Sequence, residues 1–127
     1  MKKIALAAGG LIAAAMMTTP AHAWNAIGSR DVKDRTERDT IAVNDGRSYR
    51  RIKICVYQRP VHFYDVDVIF ENGGHQDVRV RKRIEPGKCT RVIDLEGGSR
   101  NIDRIHFVYE ETSFARDHAR VTVFADN

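Results

Sequence analysis

The chain has 127 residues, with 21 basic and 17 acidic side chains, two cysteines and a formal net charge of +4. This length is enough for one domain with a single hydrophobic core that needs no structural metal. The small net charge, with both signs interleaved along the chain, argues against a protein that binds nucleic acid or another polyanion.

The first 23 residues have the three parts of a secretory signal peptide. Met1–Lys3 is positively charged, and residues 4–17 form an apolar, alanine-rich run that is too short for a membrane span. Ala21-His22-Ala23 fits the small-x-small rule, so we expect cleavage before Trp24. The mature chain would then be one domain, residues 24–127, with 127 − 23 = 104 residues, in the periplasm or secreted.

Short strands separated by turns are predicted along the mature chain. The first strand is Trp24–Val32, and the charged segment Lys33–Thr40 that follows is typical of a solvated loop. A short strand, Thr40–Val43, ends at the turn sequence Asn44-Asp45-Gly46. Apolar and polar residues alternate in Tyr49–Tyr57, which predicts a strand with one buried face.

The clearest predicted hairpin joins Val61–Glu71 to His75–Arg83 around Asn72-Gly73-Gly74. A three-residue loop with a left-handed glycine sets apolar residues opposite each other, whereas a two-residue loop would mix the two faces. The predicted register opposes Val68 to Val78, Val66 to Val80, Asp67 to Arg79 and Asp65 to Arg81.

A second hairpin is predicted within Arg91–Glu110, turning at Gly97-Gly98 and placing Leu95 opposite Ile105. A polar connection, Glu111–Asp117, then leads to the last strand, His118–Ala125. About eight short strands and no helical period indicate an all-β protein, and we expect an antiparallel β-sandwich.

The two cysteines, Cys55 and Cys89, belong to a chain that is expected to enter an oxidising compartment. A bridge between them would close a loop of about 35 residues and stabilise the fold by ~3–4 kcal/mol in the chain-entropy model. The two residues differ in phase relative to the apolar residues around them, so a bulge or a turn near Pro86-Gly87 would have to reconcile them. The sequence leaves a disulfide and two separate thiols both open.

The basic run Arg79–Arg83 suggests an anion site. The predicted register gives two of its arginines aspartate partners, which favours a solvated, charge-paired face whose ion pairs contribute ~0–1 kcal/mol each. Arg83 has no such partner. An anion, if one binds, is therefore expected at Arg83, together with Arg50 and Arg51.

No group of residues indicates catalysis, and we expect no enzyme, no cofactor and no metal. Asp65 and Asp67 share a face and could serve a glycosidase, but arginine partners would keep both ionised and remove the general acid. The serines lack the G-x-S-x-G pattern. A metal site would require the four histidines of the mature chain to converge: His62, His75, His106 and His118.

Three aromatic residues lie off the predicted core parity or at strand ends, which makes them candidate partner contacts: Tyr57, Phe63 and Tyr64. The alternative is a strand that is buried on both faces. Arg100, beside the glycine turn, is expected to anchor that turn through backbone carbonyls or a carboxylate.

These patterns favour a non-catalytic module that binds an envelope protein, a glycan or a small ligand. One alternative is an inhibitor of a secreted hydrolase that acts through Lys33–Thr40 or Glu111–Asp117. Another is an enzyme or metal carrier, which depends on the histidines.

Strand and turn motifs spread over nearly the whole mature chain resemble one family. They are W-x-x-I-G at Trp24–Gly28, D-x-I-x-V at Asp39–Val43, I-D-L-x-G at Ile93–Gly97, R-x-I-x-x-I-x-F-x-Y at Arg100–Tyr109 and A-x-V-x-V at Ala119–Val123. Together they resemble the YaaI-like family of small exported bacterial proteins, a domain of unknown function. The resemblance implies a periplasmic location and offers no catalytic residues.

Overall fold

The computed structural model describes residues 24–32, 36–111 and 118–127. Eleven strands follow one another in these ranges: β1 Asn25–Val32, β2 Thr36–Ala42, β3 Ser48–Tyr49, β4 Arg51–Tyr57, β5 Val61–Phe70, β6 His75–Val78, β7 Lys82–Ile84, β8 Lys88–Cys89, β9 Ile93–Asp94, β10 Arg100–Glu111 and β11 Ala119–Asp126. Within the described ranges no helix is long and apolar enough to cross a bilayer. The predicted signal peptide, residues 1–23, lies outside them.

Two antiparallel sheets pack face to face. Sheet I has the order β9-β4-β11-β1, with β8 also paired to β4, and sheet II has the order β2-β10-β5-β6, with β3 paired to β10 and β7 to β5. The inward-facing side chains form one core, to which Ile54 and Val123 contribute from sheet I and Val66 and Phe107 from sheet II. The predicted all-β sandwich is therefore confirmed.

The hairpin predicted within Arg91–Glu110 is wrong. Ile93 pairs with Ile52 in sheet I, whereas β10, which contains Ile105, pairs with β2 and β5 in sheet II. Gly97 and Gly98, with φ angles of 88° and 82°, turn the chain from one sheet to the other. The alternation of apolar and polar residues indicates that each segment buries one face, but it does not determine which strand each segment pairs with.

The β5–β6 hairpin has the predicted type of loop, shifted by one residue. The loop is Glu71–Gly73, and Gly73 has the expected left-handed conformation, with a φ of 92°. Because the loop starts one residue earlier, the register shifts by two, and each side chain keeps its face. Asp67 consequently pairs with Asp77 and not with Arg79.

A bulge interrupts β5 at Tyr64–Asp65. Asp65 pairs with Val108 on β10, and Phe63 pairs with Tyr109, so Tyr64 is an extra residue on β5. Tyr64 and Asp65 are both exposed, whereas Phe63 is fully buried in the core. The expectation that Phe63 contacts a partner is wrong, because the bulge reverses the alternation on which it was based.

Cys55 and Cys89 form a disulfide between directly opposed residues of β4 and β8, with their Cα atoms 3.9 Å apart. Further along β4, Ile52 pairs with Ile93 of β9. Between these two pairs, β4 has two residues and the opposite chain segment has three. This bulge reconciles the different phases of the two cysteines.

Within the predicted solvated loop Lys33–Thr40, the described residues Thr36–Thr40 form part of a strand, so the prediction is wrong for them. β2 begins at Thr36 and pairs along β10. Charged residues are common on edge strands, since one side of such a strand faces water. The other predicted loop, Glu111–Asp117, is described only at Glu111, because residues 112–117 lie outside the described ranges, as do residues 33–35.

Contacts between the sheets join both sides of the sandwich. On one side, Gly28 of β1 lies so close to β2 that an added Cβ would be 2.1 Å from Ile41 Cγ2. On the other side, Gln76 Nε2 donates to the carbonyl of Asp94 at 3.0 Å, and Gln76 Oε1 accepts from the backbone N–H of Glu96 at 2.8 Å. Gln76 thus ties the edge of sheet II to the edge of sheet I.

Candidate functional site

The edge of sheet II is irregular opposite the β5 bulge. β6 ends at Val78, and pairing with β5 resumes at Lys82. Three residues, Arg79–Arg81, therefore face the two bulge residues, Tyr64–Asp65, and regular pairing is lost. Bulges often re-aim side chains beside functional sites. Arg79 and Arg81 here contribute to the walls of two neighbouring clefts.

The first of these, the acidic cleft, has a volume of about 360 Å³ and is lined by Tyr64, Asp65, Asp77, Val78, Arg79 and Arg81. A hydrogen bond with Asp77 is the main reason why the pKa of Asp65 is raised, followed by desolvation and by the charges of Asp77 and Asp67. A neighbouring carboxyl group disfavours the charged form of an acid, in agreement with this direction. The arginine partners expected to lower the pKa of Asp65 are absent because the predicted register does not form, and this pKa is raised instead.

The Asp65–Asp77 pair nevertheless lacks the geometry of a glycosidase. Such enzymes hold two carboxyl groups ~5–5.5 Å apart for retention or ~6.5–9.5 Å apart for inversion, on opposite sides of the bond that they cleave. Asp65 and Asp77 are instead hydrogen-bonded to each other. Two carboxyl groups in contact differ from the separated arrangement that these enzymes use.

Tyr64 forms the aromatic rim of the acidic cleft and is 41% exposed. Its hydroxyl donates to Glu110 Oε1 at 2.8 Å, and this hydrogen bond is the main cause of the raised pKa of Tyr64. The ring centroid lies 4.6 Å from that of His62. These two contacts hold the ring in place while part of its surface stays open to a ligand.

The second, the basic cleft, has a volume of about 200 Å³ and is lined by Arg79, Val80, Arg81, Lys82, Ile84, Thr90 and Arg91. Arg91 reaches it from the segment between β8 and β9, and its Nη1 donates to the carbonyl of Arg79 at 3.1 Å. The cleft is therefore built from the adjoining edges of the two sheets. Four of its lining residues are cationic, and none is acidic.

Two histidines lie on either side of Asp67 on the outer face of sheet II. His106 pairs with Asp67 across the β10–β5 ladder, and its Nδ1 is hydrogen-bonded to Thr40 Oγ1 at 2.7 Å. His75 Nδ1 lies 3.1 Å from Asp67 Oδ1. In the part of the chain that the structure describes, no set of three or more histidine, cysteine, aspartate or glutamate side chains has an arrangement suited to a metal ion.

The three arginines predicted to bind an anion have other surroundings. Arg83 Nε lies 2.8 Å from Glu85 Oε2. Arg51 makes two hydrogen bonds, both of 3.0 Å, to the carboxylate of Asp126. Arg50 is exposed and lies next to Arg51 in the chain.

These arginines also lie at opposite ends of the sandwich. Arg83 pairs with His62 near the start of β5. Arg51 lies near the other end. It pairs with Asp94 of β9, and the carbonyl of Asp94 accepts a hydrogen bond from Gln76. Gln76 in turn pairs with Val68 near the end of β5. Six residues along a strand span roughly 20 Å. One small anion therefore cannot contact Arg83 and Arg51 together.

Arg100 connects the glycine turn to the β5–β6 loop. Its Nη1 donates to the carbonyl of Glu96 at 2.7 Å, and its Nη2 donates to Asn72 Oδ1 at 3.3 Å. Its guanidinium carbon lies 3.7 Å from the ring centroid of Phe70. These contacts are of the kind that an anchoring residue would make.

The exposed aromatic residues do not form one surface. Tyr57 is 38% exposed at the end of β4 in sheet I. Tyr64 lies on the outer face of sheet II, and Phe63 is buried. Of the three predicted contact residues, only Tyr64 lines one of the two clefts.

Sequence reasoning did not find the basic cleft, because the predicted register assigned Arg79 and Arg81 to aspartates and Arg91 belongs to the other sheet. One signal was present in the sequence Phe63-Tyr64-Asp65-Val66. In a regular strand, apolar and polar residues alternate when one face is buried. Tyr64 and Asp65 are two successive polar residues between the apolar Phe63 and Val66, and this pattern is typical of a bulge.

Comparison with known proteins gives a family but no activity. The family model of a domain of unknown function, DUF2541, matches residues 5–125. No curated protein matches the chain significantly. A solved structure of AlgX from Pseudomonas aeruginosa is 15% identical, with a TM-score of 0.42, over 80% of this chain and 26% of the AlgX chain. This chain thus spans about a quarter of AlgX, and a likeness at this level carries no functional argument.

Proposed function

Because the chain belongs to the DUF2541 family, whose function is unknown, we propose from its own residues that it is an exported, non-catalytic module that binds a ligand at the clefts around Arg79–Arg81. The ligand is an envelope protein, a glycan or a small molecule. The YaaI-like resemblance is a finer assignment that stays a prediction.

One observation carries this proposal: charged side chains of both signs are concentrated where the strand pairing of sheet II is interrupted. Asp65 is hydrogen-bonded to Asp77, and within the described ranges neither carboxylate forms an ion pair with Arg79 or Arg81. A surface that only needed to be solvated would gain from pairing opposite charges, even if weakly. Groups that are held close together without neutralising each other are available to a ligand.

Export is supported by the disulfide between Cys55 and Cys89 together with the predicted signal peptide. Disulfides persist in oxidising compartments and are rare in the cytosol of most organisms. The non-catalytic part of the proposal is supported by the contact between the two carboxyl groups of the acidic cleft, which leaves no room for a scissile bond between them.

Inhibition of a secreted hydrolase is a weaker alternative. Inhibitors of this kind present a rigid exposed loop, and one of the two candidate segments, Lys33–Thr40, is largely the paired strand β2. No contact of the described residues favours this alternative over binding at the clefts.

A thermal-shift screen tests the proposal. The purified protein would be screened against murein fragments, glycans, lipids, divalent metals and candidate hydrolases, alongside Asp65→Asn, Arg81→Gln and the control Arg83→Gln. A ligand at one hundred times its dissociation constant stabilises by ~2.7 kcal/mol, which raises Tm by roughly 10 °C in a domain of this size. We expect the shift to be lost with Arg81→Gln or Asp65→Asn and kept with Arg83→Gln.

Two results would contradict the proposal. A ligand that shifts Tm equally in all variants would place binding away from the clefts. A ligand that is chemically converted by the wild type but not by Asp65→Asn would show that the module is catalytic.

A further inference from the structure

We propose that the basic cleft is a binding site for an oxyanion ligand with at least two negative charges, either a phosphate or two neighbouring carboxylates. This inference rests on the proposed function, because it names the ligand class of the same site. It is carried by four cationic side chains that converge from two sheets on one cleft: Arg79, Arg81, Lys82 and Arg91.

The four cations of this cleft are not held in ion pairs with described residues, although Arg79 and Arg81 also line the acidic cleft with Asp65 and Asp77. Across the described ranges, none of the four cations makes an ion pair with a carboxylate. The nearest acids in sequence have other partners, since Glu85 pairs with Arg83 and Asp77 bonds to Asp65. Four adjacent cations without ion-pair partners among the described residues repel one another, and an anion with several charges relieves that repulsion.

The backbone holds the cations in position. Val80 and Ile84, which line the floor of the cleft, are buried in the core, so the intervening residues are fixed at the surface. Arg91 is oriented by its hydrogen bond to the carbonyl of Arg79. Guanidinium groups bind carboxylate and phosphate through two parallel hydrogen bonds, which gives geometric as well as electrostatic selectivity.

The near-balance of charge in the whole chain does not oppose this site. After the predicted cleavage the chain would carry 19 basic residues (21 minus Lys2 and Lys3) and 17 acidic ones. Local potential depends on how charges cluster, and a cleft lined by one sign concentrates it. The prediction against a polyanion binder used the net charge and the interleaving of both signs along the chain, whereas the fold brings four cationic residues to one cleft.

Arg83 provides a matched control. It lies in the same basic run and carries the same charge, but it does not line the cleft and is paired with Glu85. Arg81→Gln and Arg83→Gln therefore change the net charge equally, but only Arg81→Gln removes a cation from the basic cleft, whereas Arg83→Gln removes the ion pair with Glu85. A nonspecific charge effect would move both variants alike.

The experiment is an NMR titration of the 15N-labelled protein at constant ionic strength. The probes are inorganic phosphate, sulfate, acetate and a short oligomer with a carboxylate on each unit, and vesicles of anionic or zwitterionic lipid form a separate arm. We expect phosphate and the oligomer to give saturable shifts at Arg79, Arg81 and Arg91, with acetate at least tenfold weaker. Arg81→Gln and Arg91→Gln should weaken binding roughly tenfold each, whereas Arg83→Gln should not.

The arms separate the sources of the anion. Tighter binding of phosphate than of the oligomer indicates a phosphate ligand, the reverse indicates a carboxylate polymer, and binding to anionic vesicles alone indicates a headgroup. Shifts that fail to saturate, or that fall equally with Arg81→Gln and Arg83→Gln, would overturn the anion site. If a neutral ligand raises Tm in the wild type but not in Asp65→Asn, and no anion binds, the proposed function holds and the anion site is refuted. Unchanged amide spectra in the free variants show that each one folds.

Discussion

Asp67 lies directly opposite Asp77 on the outer face of sheet II, and Asp77 is also hydrogen-bonded to Asp65. Like charges opposed across a ladder destabilise a sheet by ~0.2–1 kcal/mol. We predict that Asp77→Asn raises Tm at neutral pH, in contrast to the usual effect of removing a hydrogen-bonded side chain. Thermal unfolding followed by circular dichroism measures the change.

The pH dependence of this effect has a definite sign. The pKa of Asp65 is raised above its ordinary value of 3.8, so the folded protein holds this proton more tightly than the unfolded chain does. Stability on this account is greatest at low pH and falls as pH rises from about 4 through the raised pKa. The gain from Asp77→Asn should therefore shrink towards pH 4. Asp31→Asn, which removes the partner of Arg120, should give no gain; an equal gain there would refute the explanation.

Gly28 is predicted to tolerate no side chain. A Cβ there would lie 2.1 Å from Ile41 Cγ2, so Gly28→Ala must push β1 and β2 apart or force Ile41 from its rotamer. Overpacking of this kind costs about 1–3 kcal/mol, which urea unfolding would detect. In a double-mutant cycle, Gly28→Ala should cost much less in the background of Ile41→Ala, because Cγ2 is then absent. Equal costs in both backgrounds would show that the clash is not the cause.

The Cys55–Cys89 disulfide joins residues 34 apart in sequence. In the chain-entropy model a loop of this length stabilises the fold by ~3–4 kcal/mol. We predict a loss of this size when the wild type is unfolded in urea with reductant. The double variant Cys55→Ala/Cys89→Ser should resemble the reduced protein and show no response to reductant. If the wild type is equally stable with and without reductant, the disulfide does not stabilise the fold.

Gln76 is predicted to be a structural link between the sheets. It is 8% exposed and bonds the backbone of β9 and of the next residues through both atoms of its amide. Gln76→Leu keeps similar volume but leaves a carbonyl and an N–H without their partner, which costs about 1–3 kcal/mol each when they stay dry. Hydrogen exchange should accelerate at the amide of Glu96 in this variant. Unchanged exchange there would mean that water replaces the side chain fully.

Much of the fold could be predicted because alternation has a direct physical basis. Successive side chains of a strand point to opposite faces, so Ala119, Val121 and Val123 could be assigned to the core from their spacing alone, and all three are fully buried. The glycine-rich stretch after Phe70 likewise predicted a three-residue loop with a left-handed glycine, which Gly73 supplies. Composition, the number of turns and the absence of a helical period determined the all-β class.

The tertiary structure decided which strands pair, in which register and where the strands bulge. A shift of two residues leaves every side chain on its own face, so the pattern could not distinguish Asp77 from Arg79 as the partner of Asp67. The bulge at Tyr64–Asp65 is set by pairing with β10, which is distant in sequence. Arg91 meets Arg79 and Arg81 only because two sheets close against each other. Local sequence determined the faces of the strands, and long-range packing determined the candidate site.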